Sequence, residues 1–96
     1  MKTTFTNDEF RKLIYKAIYA AHIYGTIYDV DTAYEDVEGN CCLAFINEYD
    51  DDDNYIFPWD EIKSITYSET FHRFVITTND ENRCDVQLLT HYVPCW

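Results

Sequence analysis

From Ala17 to Ile62 the chain contains no lysine or arginine, yet twelve of its eighteen carboxylates fall there: Asp29, Asp31, Glu35, Asp36, Glu38, Glu48, Asp50, Asp51, Asp52, Asp53, Asp60 and Glu61. The segment up to Tyr28 sums to +2 and the segment from Lys63 to −1, so the net charge of −11 sits in the middle. Concentrated negative charge opposes compaction through self-repulsion and steers association with basic partners. The elements that carry this stretch must keep one face wet.

The length of 96 residues makes one domain, spanning 1–96, near the size at which a single core gives modest stability. A hydrophobic content of 47 %, with six Phe, two Trp and nine Tyr, is too rich for a disordered acidic tail. The chain is expected to fold. Nucleic acid and anionic membranes bind through Lys and Arg, so direct binding to either is not expected of so acidic a surface. The start has no apolar run of signal-peptide length, and no stretch of about 18 uncharged apolar residues occurs. A soluble cytoplasmic protein is the expectation. Cys41 and Cys42 are adjacent, Cys84 falls in a predicted strand and Cys95 is next to last, which suits reduced thiols better than disulfides.

Thr6 followed by Glu9 forms a capping box, and Phe5 and Phe10 around it a hydrophobic staple. Phe10, Leu13, Ile14, Ala17, Ile18 and Ala21 recur at helical spacing, with Gly25 as a stop, which predicts a helix from Asn7 to Tyr24. Tyr15, Tyr19 and His22 make a second stripe expected to pack on the flank of a sheet. Val30, Ala33, Tyr34 and Val37 also fit a helical period, giving a short second helix over Val30 to Glu38. A strand turning at Gly39-Asn40 is the competing reading.

Beyond Gly39 the pattern becomes β: Cys41 to Tyr49, Asn54 to Phe57, Ile62 to Ser68, Phe71 to Thr78 and Arg83 to Val93. Asp50 to Asp53 and Asn79 to Asn82 supply turn chemistry, and Pro58-Trp59-Asp60-Glu61 suits a single helical turn. Phe74 and Ile76 alternate with Arg73 and Thr77, and Val86 and Leu88 with Asp85 and Gln87, so each strand has a buried and a wet face. The predicted class is α+β: an N-terminal helix packed on a four- to five-stranded antiparallel sheet, with a short second helix.

Asp50, Asp52, Asn54 and Glu61 occupy positions one, three, five and twelve of a calcium-loop window. Tyr55 stands where that loop needs glycine, and the flanks read as strands. A solvated acidic turn is the simpler reading. Cys41, Cys42, Cys84, His91 and Cys95 could supply zinc ligands, but only His91-x-x-x-Cys95 has a usable gap. No metal and no cofactor is expected. Ser64 and Ser68 lie in no glycine-flanked elbow, Gly25 and Gly39 cannot build a phosphate loop, and His22, His72 and His91 are isolated. No catalytic residue is assigned, and the chain is not read as an enzyme.

The acidic surface is the site the sequence does favour. On a helix, Asp31, Glu35 and Glu38 would be spaced about 6 Å and about 4.5 Å along the axis, comparable with charges on a nucleic-acid backbone. Tyr34, Tyr49 and Tyr55, with Tyr28, interleave with the acids as aromatic anchors. The predicted partner-binding set is Asp29, Asp31, Glu35, Asp36, Glu38, Glu48, Asp50, Asp51, Asp52 and Asp53 with Tyr34, Tyr49 and Tyr55.

In size, acidity, tyrosine richness and lack of an enzyme signature, the whole chain resembles the small phage-encoded inhibitors of bacterial defence, the anti-CRISPR and anti-restriction proteins, several of which imitate DNA. The resemblance implies a protein partner with a basic surface, a nucleic-acid-binding effector complex in the host cytoplasm, whose target DNA is blocked by mimicry or occlusion. Immunity proteins and antitoxins that neutralise nuclease toxins are an alternative of the same size and acidity. A divalent-metal-regulated binding module is a further one, and monomer or homodimer are both compatible with the sequence.

Overall fold

A computed structural model describes residues 3–90, with the side chains of all of these except 15–19 and 90. A two-residue strand, β1 (Thr4–Phe5), leads into helix α1 (Asn7–Ala17). The helix starts as its sequence dictates: Thr6 Oγ1 accepts the Glu9 N–H at 3.2 Å, and Glu9 Oε1 accepts the Thr6 N–H at 3.0 Å. Phe5 and Phe10 both pack edge-on against Phe74, with ring centroids 5.4 and 5.1 Å apart.

The helix does not continue to Tyr24. Strand β2 (Ile18–Ile23) follows it directly, and β3 (Thr26–Glu35) occupies most of the segment expected as a second helix. Tyr24 and Gly25, at φ 48° and 86°, link the two strands by a two-residue turn of left-handed conformation, the twist that suits a tight hairpin. Strand β2 pairs with β3 on one side and with the last strand on the other. Backbone pairing on both edges outweighs the helical spacing of Ala17, Ile18 and Ala21. In β3, Tyr28 and Thr32 are buried and Val30 half-buried, while Ile27, Asp29 and Asp31 are exposed. That period of two marks a strand.

The remaining elements are β4 (Cys41–Ile46), β5 (Asn54–Pro58), a 3₁₀ turn η1 (Trp59–Glu61), β6 (Ile62–Ser68), β7 (Arg73–Thr78) and β8 (Arg83–Thr90). Strand β6 has the predicted bounds, and η1 is the predicted single turn. Residues 91–93, expected as the end of the last strand, lie outside the described residues. The four- to five-stranded sheet is corrected to a single sheet of, among the described residues, eight antiparallel strands in the order β1-β6-β7-β8-β2-β3-β4-β5.

The sheet cannot be flat. Strands β5 and β6 stand six strand spacings apart in that order, about 29 Å at roughly 4.8 Å each. Yet only Trp59–Glu61 joins them, and Pro58 to Ile62 spans at most about 14 Å of extended chain. The sheet therefore rolls, bringing β5 towards β6. Its concave face gathers one core from distant strands: Leu43 and Phe45 of β4, Ile65 of β6, Phe74 and Ile76 of β7, and Cys84 and Val86 of β8. Phe10 and Ile14 of α1 close it.

Trp59 secures the roll. Its indole N–H donates to the Thr32 carbonyl at 3.1 Å, its own carbonyl accepts from Asn7 Nδ2 at 3.1 Å, and the Arg11 guanidinium lies 4.4 Å from its ring centroid. Thr32 sits where the β3–β4 register shifts, between Asp31 and Tyr34. A bulge leaves backbone groups without ladder partners. Here Trp59 takes the Thr32 carbonyl, and Asp31 Oδ1 takes the Ala33 N–H at 2.9 Å.

Candidate functional site

All twelve carboxylates of the lysine-free stretch lie on the meander β3–β4–β5 and the η1 turn that follows it. Consecutive antiparallel strands lie side by side, so a charge run contiguous in sequence becomes one flank of the sheet. Lys63, Arg73 and Arg83 belong to β6, β7 and β8, and Arg11 and Lys12 to α1. Among the described residues the salt bridges are Arg11 to Asp8 at 3.6 Å, Lys63 to Glu81, and Arg83 to Asp85 at 3.1 Å. None involves the twelve acids.

Four of the predicted site acids shape the chain. Asp31 holds the bulge. Asp36 accepts the Glu38 and Asn40 backbone N–H groups at 2.9 Å each, the Asn40 amide at 3.2 Å and the Cys42 thiol at 3.8 Å. Chiefly through the Asn40 N–H, its carboxyl is held below the ordinary value. Asp50 accepts the Asp52 N–H at 3.0 Å, as aspartates in tight turns do. Asp53 accepts from the Tyr28 hydroxyl at 2.9 Å and from Asn47 Nδ2 at 3.0 Å. Asp29, Glu35, Glu38, Glu48, Asp51 and Asp52 make no side-chain hydrogen bond or ion pair among the described residues, and all are exposed.

The structure brings these acids together in three groups. The β3–β4 turn, with Asp36 and Glu38, and the β4–β5 loop, with Glu48 to Asp53, lie at opposite ends of β4, about 17 Å apart at about 3.4 Å per residue. Asp29 and Asp31 stand between them on the convex face, opposite Ile46 and Ala44. The bulge turns Tyr34, opposite Cys42, onto that same face and leaves Glu35, opposite Cys41, on the other. The helical ladder of Asp31, Glu35 and Glu38 is therefore overturned, because its backbone is a bulged strand and a turn.

The tyrosines divide as well. Tyr55 is half-buried, 5.4 Å from the Tyr28 ring at 80°, and belongs to the packing of the core. Tyr34 is half-buried, whereas Tyr49 is 92 % exposed. Sequence reasoning missed Tyr24 and Ile27, exposed by 66 % and 61 %. Tyr24 is the first residue of the β2–β3 turn and Ile27 follows it in β3, at the end of the sheet where Asp29 faces the last residue of β4, and so they share that end with Tyr49 and the 47–53 loop. Gly25 between Ile23 and Ile27 was the signal for a hairpin that would have exposed them.

Among the described residues no three or more His, Cys, Asp or Glu side chains converge as a metal site. In the calcium-like window, Asp50 caps its own turn, Asn54 Oδ1 accepts the Asn47 N–H at 3.0 Å, and Glu61 sits beyond β5 in η1. His91 and Cys95 lie outside the described residues. Cys41, Cys42 and Cys84 carry free thiols. Burial, and then the neighbouring Asp85, pushes the Cys84 thiol up to about 11, away from the thiolate a nucleophile or ligand needs. No helix among the described residues is long and apolar enough to cross a membrane.

Comparison with protein-family models, with curated proteins and with solved structures finds no match to this chain.

Proposed function

We propose that this chain is an acidic inhibitor that seats its β3–β4–β5 flank on a basic, nucleic-acid-binding surface of a bacterial defence complex, anti-CRISPR-like, and blocks DNA by occlusion. The observation that carries the reading is a flank of carboxylates with no salt bridge among the described residues, bordered at one end by exposed Tyr24, Ile27 and Tyr49. A protein that needed only solubility would gain it from interspersed charges of both signs. Aromatic and aliphatic anchors ringed by acids suit an interface whose partner is cationic, with the charges setting encounter rate and orientation. The class of target follows the resemblance in size, acidity and tyrosine content.

The test uses the acids that hold nothing in place. A variant with Glu48→Gln, Asp51→Asn and Asp52→Asn leaves Asp50 and Asp53 to organise the loop. Purified CRISPR effectors and restriction enzymes are titrated with each protein, and DNA binding is measured. The parent chain is expected to displace DNA from one of them, and the variant to need about tenfold more protein, with the difference in association rate. Equal inhibition by both proteins overturns the electrostatic reading.

A further inference from the structure

Among the described residues strand β5 is the end of the sheet: β4 pairs it from Cys42↔Pro58 to Ile46↔Asn54, and no further strand pairs with it. No hydrogen bond from another described residue reaches its outer backbone edge, so that edge is a template for a further strand. Beside it runs a groove of about 320 Å³, with Ile56, Phe57 and Pro58 on one side and Asn79, Asp80 and Asn82 of the β7–β8 turn on the other. That far wall is anchored, since the Asn79 N–H donates to the Glu61 carbonyl at 2.9 Å and Asn79 Nδ2 to the Asp60 carbonyl at 3.3 Å. Glu61 and Asp80 line the groove, and among the described residues no lysine or arginine does.

We infer that the free edge of β5 receives an extended, lysine- or arginine-rich segment of the partner protein, which adds to the sheet as a ninth strand. Outward backbone groups of β5 supply main-chain hydrogen bonds, exposed Ile56 takes an apolar side chain, and Glu61 and Asp80 take the cations, the division of labour of strand addition. Charge selects this occupant over a second copy of the chain, because two such acidic edges repel. The inference rests on the proposed function for the partner's basic character.

A ten-residue peptide of alternating lysine and valine serves as the probe. Binding is followed by calorimetry, and hydrogen exchange is read at the β5 amides. The peptide is expected to bind, to slow exchange in residues 54–57, and to lose affinity about tenfold against Ile56→Lys and against Asp80→Lys. An alternating glutamate and valine peptide should not bind. Absence of binding at millimolar peptide, binding without protection of β5, or a dimer of the free chain that Ile56→Lys dissolves would each overturn it. Its failure is separable from that of the proposed function. Inhibition lost in the Glu48, Asp51, Asp52 variant but intact in Ile56→Lys sinks the strand addition alone, whereas peptide capture without any inhibition sinks the inhibitor reading alone.

Discussion

Asp53 differs from the three aspartates before it, being half-buried and tied to Tyr28 and Asn47 while Asp50 to Asp52 are exposed. It anchors the acidic loop to the core through a phenol that burial, and then the Asp53 carboxylate, pushes up to about 12 from 10.0. The folded pKa lies above the unfolded one, so this group's contribution to stability is complete below pH 10 and is lost as pH rises from 10 to about 12. Tyr28→Phe should destabilise the protein by about 1–2 kcal/mol at neutral pH, because it removes a hydrogen bond to a charged acceptor that keeps Asn47 and water as partners. It should also flatten the alkaline fall of the urea midpoint between pH 10 and 12. An unchanged alkaline limb would mean that Tyr28 does not carry it.

At the scale of elements, the roll of the sheet depends on a bulge and a ring. Trp59→Phe keeps an aromatic ring but leaves the Thr32 carbonyl, in a buried residue, with the long Cys41 thiol contact at 4.0 Å in place of the indole donor, a loss of roughly 1 kcal/mol, the usual net worth of such a hydrogen bond. Weaker stacking of Arg11 adds to it, so the urea midpoint should fall while the slope of the transition stays constant. The bulge also explains which elements could be read from the sequence. From Cys41 on, alternation such as Phe74 and Ile76 against Arg73, Val75 and Thr77 left one reading, and the Thr6–Glu9 box located the helix start because caps are local. The helix end and β2 were not legible. Ile18, Ala20, Ala21 and Ile23 satisfy helical spacing as readily as strand alternation, and only the pairing of β2, with Tyr28 across the hairpin and with distant Leu88 on the other edge, decides between the two. The bulge likewise blurred the alternation of β3 near Thr32 and Ala33, where a helical period could be fitted.

For the whole molecule, the location of charge was legible and its direction was not, since ten of the twelve acids share one flank only because β3, β4 and β5 are a meander, while Asp60 and Glu61 lie beyond it in η1. That arrangement has a thermodynamic signature. The molecule measures 37 × 28 × 22 Å, so at an ionic strength of about 0.01 M, where the screening length is about 30 Å, the two acidic ends of β4 repel each other and Asp29 and Asp31 between them. At about 0.15 M the screening length is about 8 Å, shorter than the roughly 17 Å between those ends, and only neighbouring acids still interact. The melting temperature should therefore rise with sodium chloride, mostly below about 0.15 M, and then level off. The variant with Glu48→Gln, Asp51→Asn and Asp52→Asn should melt higher than the parent at low salt and respond less to added salt, the two proteins converging at high salt. A melting temperature that falls as salt is added would show that attractive pairs dominate, and the flank would then lack the unneutralised field that a basic partner is proposed to meet.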